Sequence, residues 1–238
     1  MVDWKYRAMG QIVNKKVREF YKKGYKSDNK DYGIILSFSS EEKANVYLKK
    51  WKKRNINRDL SKQAQDKLDE IIDNWSDEST FYENGALLFK VGENDHTLRA
   101  GNCGKMACVA GYLAHVDWGV GLKNILMVTL SSPADHEFCM IDTRGTEWNN
   151  KQCPTVRQFA KSVVAPDFLI IDPWLNTVCA GDEYLRDGTA KLKKWGDDGK
   201  RVRFYGSEGE GWYPASCDEY LSAFAAGKIE ITGFDEIS

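Results

Sequence analysis

The chain has 238 residues, 42% hydrophobic and 12% aromatic, with 34 Lys and Arg against 35 Asp and Glu for a net charge of −1. That length and apolar content are enough for a sizeable core, as one large domain or one domain with an appended lobe, and they exclude an intrinsically disordered chain. The longest apolar stretch, Asn124 to Leu130, is far short of the roughly 20 residues that span a bilayer, so no membrane helix is expected.

Taken in chain order, residues 1–30 read as helical and basic and residues 32–38 as a short strand. Helices follow at 41–54 and 60–75, the first opened by Ser39-Ser40-Glu41-Glu42, which resembles a capping box, with Ala44, Tyr47, Leu48 and Trp51 on one stripe. After turn-rich residues 76–85, residues 86–91 read as a strand leading to a helix that starts at Cys103. Strands are expected at 125–130, 137–141 and 168–171, with a helix at 154–160 that carries proline in its first turn. A helical segment at 184–195, a strand at 201–205 and a last helix from Ser216, where Ser216 and Glu219 are spaced as a capping box, complete the chain. Gly206-Ser207-Glu208-Gly209-Glu210-Gly211 lacks a following Lys-Ser/Thr pair and reads as a flexible loop, and Gly211-Trp212-Tyr213-Pro214 as an aromatic loop open to substrate contact. This order predicts an α+β fold, divided into a basic helical N-terminal part at 1–80, packed on the core, and a domain at 81–238.

Charge is unevenly spread. Residues 1–62 hold 17 Lys and Arg against 7 Asp and Glu, a local charge of +10 that leaves −11 for the remainder. Such a basic region suits an acidic partner protein, a cognate inhibitor or an anionic surface, although the plainer reading is a solvated face on amphipathic helices. Nucleic acid is not the expected partner.

Six cysteines are scattered along the chain, three of them in apolar-patterned segments, so reduced thiols in a cytosol are the simpler expectation. No Cys-x-x-Cys pair exists and the three histidines do not follow zinc spacing, so neither a metal nor another cofactor is expected. The opening Met1-Val2-Asp3-Trp4-Lys5-Tyr6 lacks the apolar segment of a secretory leader. The expected location is the cytoplasm of the producing cell, with any passage into a target cell left to a machinery that reads no signal peptide.

The chemistry is concentrated around Gly101-Asn102-Cys103-Gly104-Lys105-Met106-Ala107. Met106, Ala110 and Leu113 on one stripe, with Ala107 and Ala114 beside it, predict a helix packed on a core with Cys103 at its N-terminus. Free N–H groups and the positive dipole end at that position stabilise an anion, whether a thiolate or an oxyanion. His136 opens one predicted strand and Asp172 closes another. Antiparallel pairing sets the start of the first beside the end of the second, which brings base and orienting acid together. Each residue also has a plainer reading: Cys103 as a small buried hydrophobe, His136 as a hydrogen-bonded strand histidine, Asp172 before Pro173 as the start of a turn. Asn102 either caps the helix or donates to an oxyanion. His96, in a polar stretch, and His115, near a helix end, are weaker candidates.

A cysteine in a Gly-x-Cys-Gly setting on a buried helix, then His opening a strand, then Asp-Pro-Trp closing another, resembles the transglutaminase-like branch of the papain-like cysteine hydrolases. The pattern is most similar to domains of bacterial effectors and toxins that deamidate or cleave target proteins. The resemblance covers Gly101 to Trp174 and implies a papain-like/transglutaminase-like core, with the nucleophile helix on an antiparallel sheet. It implies Cys103 as nucleophile, His136 as base and Asp172 as orienting acid, with Asn102, Gly104 and Trp174 near the site and a protein amide as substrate. The 143–166 insertion between the two strands departs from the family's compact hairpin. Deamidation of Gln or Asn, proteolysis and crosslinking share this chemistry. The competing expectation is a non-catalytic binding protein that uses its basic N-terminal region.

Overall fold

The computed structural model describes residues 1–22, 25–26, 30–32, 40–49, 52, 63, 66–68, 70, 79–131, 133–145, 154–207 and 209–236. The expected strand at 32–38 and the helix at 60–75 lie largely outside these residues, as do residues 146–153 of the 143–166 insertion.

Helix α1 spans Trp4–Lys22; strands β1 and β2 are Tyr25–Lys26 and Lys30–Tyr32. Residues 41–49 form helix α2. Helix α3, Phe81–Asn94, stands where residues 86–91 were expected as a strand. The reason is local: Thr80 Oγ1 accepts from the Glu83 N–H at 3.2 Å and Glu83 Oε2 accepts from the Thr80 N–H at 2.9 Å. That capping box commits the segment to helix before its β-prone residues begin.

Strand β3 is Ala100–Gly101, helix α4 Cys103–Trp118, and strands β4 and β5 are Ile125–Ser131 and His136–Asp142. Helix α5 is Val156–Ala160, capped by Thr155, so Pro154 precedes the cap and does not occupy the first turn. Strand β6, Phe168–Asp172, and β7, Thr177–Ala180, lead into α6, Gly181–Asp197. The expected flexible loop at 206–211 is instead the tip of a hairpin between β8, Lys200–Gly206, and β9, Gly209–Pro214, so the aromatic segment 211–214 is strand. Gly209, at φ +95°, takes at this turn a left-handed backbone that residues with a side chain resist. Helix α7 is Asp218–Ala226, with Cys217 and not Ser216 as its cap, and β10 is Lys228–Gly233. The Glu219 carboxylate accepts from the Ser207 backbone instead of completing the expected capping box.

The centre of the molecule is an antiparallel five-stranded sheet in the order β10-β4-β5-β6-β7. β2, β8 and β9 form a second, antiparallel sheet, and β1 pairs with β3 in parallel. The protein is therefore mixed α+β, with helices packed on an antiparallel sheet. All five residues of β6 are buried, as expected for a strand covered on both faces. On one face lie α1, whose Gly10 approaches Leu169, Ile171 and Val178, and α4, beside Cys139. The other face carries His136, Phe138 and Asp172 toward Tyr184 of α6. Alternation along β5 follows: successive side chains go to opposite faces, so His136 and Glu137 part company.

Candidate active site

Cys103 is the first residue of α4. Asn102 is its N-cap, with Oδ1 accepting from the Lys105 N–H at 3.1 Å, while the Asn102 carbonyl accepts from Met106 N at 3.2 Å. The first of these bonds satisfies Lys105, one of the four N–H groups that a helix start leaves without partners; the second is the helix's own first bond, and Cys103 and Gly104 carry two more of those four N–H groups. The α4 stripe read from sequence is buried throughout, from Met106 to Ala114, and Gly119 at φ +68° ends the helix. A β-carbon on Gly104 would lie 1.8 Å from Glu137 Oε2, so the absence of a side chain there lets the start of β5 close onto the first turn of α4.

Strands β5 and β6 pair antiparallel, with Cys139 opposite Ile171 and Met140 opposite Ile170. Continuing that register sets Phe138 opposite Asp172 and leaves His136 diagonal to it on the same face. His136 Nε2 donates to Asp172 Oδ2 at 2.7 Å, and both residues are buried. With Nε2 so used, Nδ1 is the ring nitrogen left for Cys103. That atom is buried and has no hydrogen-bond partner among the described residues, and the Cys103 thiol acts on the imidazole electrostatically. Burial works against a charged imidazole here. The Asp172 charge and hydrogen bond, together with the Cys103 contact, outweigh it and bring the His136 pKa up to about 10. Burial likewise opposes ionisation of Asp172, but the His136 charge and the donors around the carboxylate hold it below the ordinary range.

Asp172 uses both carboxylate oxygens. Oδ2 serves His136, while Oδ1 accepts from the Leu175 N–H at 2.9 Å and starts the turn before β7. Trp174, at 3% exposure, places its ring 4.9 Å from the His136 ring and 5.2 Å from that of Trp195. Helix α1 holds this turn from outside: Arg18 Nη1 donates to the Pro173 carbonyl at 2.7 Å and Asn14 Nδ2 to Asn176 Oδ1 at 3.0 Å. Asn176 has φ +58°, a left-handed conformation that asparagine tolerates better than most residues.

The structure thus brings Cys103, His136, Asp172, Asn102, Gly104 and Trp174 together. Cys103 itself is 6% exposed. His96 lies away in an exposed turn, and His115, in the last turn of α4, has Nδ1 2.8 Å from the Val120 carbonyl. Tyr184, Arg18 and Asn14 escaped the sequence reading, because no spacing rule links a residue on α1 or α6 to a carboxylate at the end of β6. The five described cysteines are all free. Among the described residues no group of three His, Cys, Asp or Glu side chains is arranged to hold a metal ion, and no helix is long and apolar enough to cross a membrane. No protein-family model, no curated protein and no solved structure matches the chain.

Proposed function

We propose that this protein is a cysteine-dependent hydrolase of protein amide bonds, of the transglutaminase-like and papain-like type, and that it converts side-chain carboxamides of Gln or Asn to acids. The observation that carries the reading is the commitment of His136 Nε2 to a buried Asp172, with Cys103 beside the same imidazole at the start of a helix.

In this reading the Cys103 sulfur gives up its proton to His136 and attacks the carboxamide carbon, forming a C–S bond. The carbonyl oxygen, now negative, is met by the free N–H groups at the first turn of α4. Collapse of the tetrahedral intermediate breaks the C–N bond as His136 returns the proton to nitrogen, releasing ammonia and leaving a thioester. Water then gives a proton to His136 and its oxygen to the acyl carbon; the C–S bond breaks, the Cys103 sulfur recovers the proton from His136, and the new carboxylic acid is released. Asp172 stays ionised and keeps Nε2 protonated, so Nδ1 is the nitrogen that exchanges protons. The resemblance to effector and toxin domains directs the choice of carboxamide over backbone; an amine in place of water gives crosslinking, and a backbone amide gives proteolysis.

The test is mass spectrometry of eukaryotic and bacterial lysates incubated with wild-type protein or Cys103→Ala. The expected result is wild-type-only conversion of particular Gln or Asn residues to acids. New peptide termini or crosslinks replace deamidation with proteolysis or transamidation. A Cys103→Ala protein that performs the same conversion as wild type overturns the mechanism.

A further inference from the structure

Asp172 Oδ2 is shared. Besides His136 Nε2 at 2.7 Å it accepts the Tyr184 hydroxyl at 2.8 Å. Tyr184 comes from α6, on the face of the sheet that carries His136, and is fully buried with its ring 4.6 Å from Phe138 and 5.6 Å from Phe224. A buried phenol needs a hydrogen-bond acceptor, but many would serve. This one is directed at the carboxylate oxygen that holds the imidazole.

We propose that Tyr184 is a positioning residue of this site: its hydroxyl fixes the Asp172 carboxylate toward His136 and draws off part of the negative charge that holds the imidazolium proton. The consequence is a tuned base. A carboxylate left with fewer donors grips the imidazolium more firmly and makes His136 slower to release the proton that the leaving nitrogen needs. The inference rests on the hydrolase reading for its catalytic meaning, but it can be measured on His136 directly.

Several other charged or titratable groups act on this pair. Asp172 is faced by Arg18 from α1, Cys179 from β7 and Tyr220 from α7. His136 feels Cys103 from α4 and, from the opposite side of β5, the charge of its neighbour Glu137. None of these is altered by Tyr184→Phe, which also keeps the ring in its packing.

The experiment is a pH titration of the imidazole signals by NMR in full-length wild type and Tyr184→Phe. The chain has three histidines, so His136→Ala assigns the signal. Loss of the hydroxyl is expected to move the His136 pKa upward by roughly half a unit to one unit. The high-pH limb of Cys103 alkylation by iodoacetamide should move with it. An imidazole that titrates unchanged, or lower, overturns the proposal. Should Tyr184→Phe fail to fold, site-specific 3-fluorotyrosine at position 184, a stronger donor, is expected to lower the His136 pKa, and no change there overturns it equally. The two readings fail separately. If wild type hydrolyses no amide while Tyr184→Phe moves His136 as stated, the hydrolase reading falls and the positioning role stands. If amides are hydrolysed and the titration does not move, only the positioning role falls.

Discussion

Cys103 and Cys108 stand five residues apart on α4 and are almost equally buried, at 6% and 3% exposure, yet they occupy different chemical regions. Cys103 meets an imidazole at a helix start. Cys108 lies inside the helix, against α3 and the α4-facing side of the sheet, where burial and then the Glu137 charge push its thiol up. Cys139, on β5 beneath it, is pushed up to about 12 by burial alone. Exposure does not separate the two regions; a helix terminus and a charged partner do. The core thiols are small hydrophobes, and among the described cysteines only Cys103 stands at a helix start beside an imidazole.

The most direct way to break this contrast is to exchange the thiols one at a time. Cys103→Ala is expected to remove roughly 10⁴-fold or more of the amide-hydrolysing activity, whereas Cys108→Ala leaves activity within a few-fold and costs about 1 kcal/mol of stability. Turnover assays and thermal melts on the two variants check this, and comparable activity losses from both would erase the distinction. His136→Ala comes next: a loss of roughly 10²- to 10⁴-fold is expected, with Cys103 alkylation slowed toward the rate of the core thiols. Because the two side chains work as a unit, the double variant should be hardly worse than Cys103→Ala alone.

Much of this contrast was legible in the sequence. The α4 stripe, the antiparallel pairing that joins His136 to Asp172 and the capping role of Asn102 all follow from local periodicity and from the two-residue alternation of strands. What was hidden depends on contacts between distant segments. Tyr184, Arg18 and Asn14 reach the Asp172 turn from other elements, and nothing in their own neighbourhoods marks them. The strand expected at 86–91 failed because the capping box at Thr80 and Glu83 outweighs the β preference of the residues after it. The 206–211 loop failed in the other direction: glycines read as flexibility were the turn of a β8–β9 hairpin. β7 and β10 are short strands whose ordering comes from partners already in the sheet.

Asp172→Asn sharpens the contrast through pH. His136 has a folded pKa above its unfolded one, so the stability it contributes is complete below about pH 6.5 and is lost as pH rises through about 10. Asp172 is shifted downward, so its contribution is complete above about pH 4 and is lost as pH falls through its folded value. The pair therefore stabilises most between about pH 4 and 6.5. Removing the charge of this buried pair is expected to cost about 3 kcal/mol in that window, with the melting curves of variant and wild type converging toward pH 10. A difference that does not vary with pH contradicts the pairing. The core side of α4 has its own probe in Gly85→Ala, whose β-carbon would lie 2.5 Å from the Cys108 backbone oxygen. Backbone does not yield cheaply, so a loss of about 1–3 kcal/mol is expected, with Cys103 alkylation unchanged in the folded fraction.

Glu137 separates the two regions and gives the smallest effect. It follows His136 on β5 but faces the other way, with one carboxyl oxygen against Gly104 and the other accepting from Thr129 Oγ1 at 3.3 Å. Burial raises its pKa, and the Thr129 hydrogen bond and the His136 charge only partly oppose that. A carboxyl raised in this way favours the folded state while protonated, and that benefit disappears as pH climbs through its folded value, so at neutral pH its charge is a cost. Glu137→Gln keeps the shape and removes the charge. It is expected to raise stability by a few tenths of a kcal/mol at pH 7 and to match wild type once the medium is acidic enough to protonate the glutamate. The same change removes one negative charge near Cys108 and leaves the Asp172 bond to His136 in place. Thermal melts at pH 4 and pH 7 decide it: a variant less stable at pH 7 would mean that the carboxylate is holding the first turn of α4 through the helix dipole, and that the region around Cys103 depends on Glu137 for its geometry.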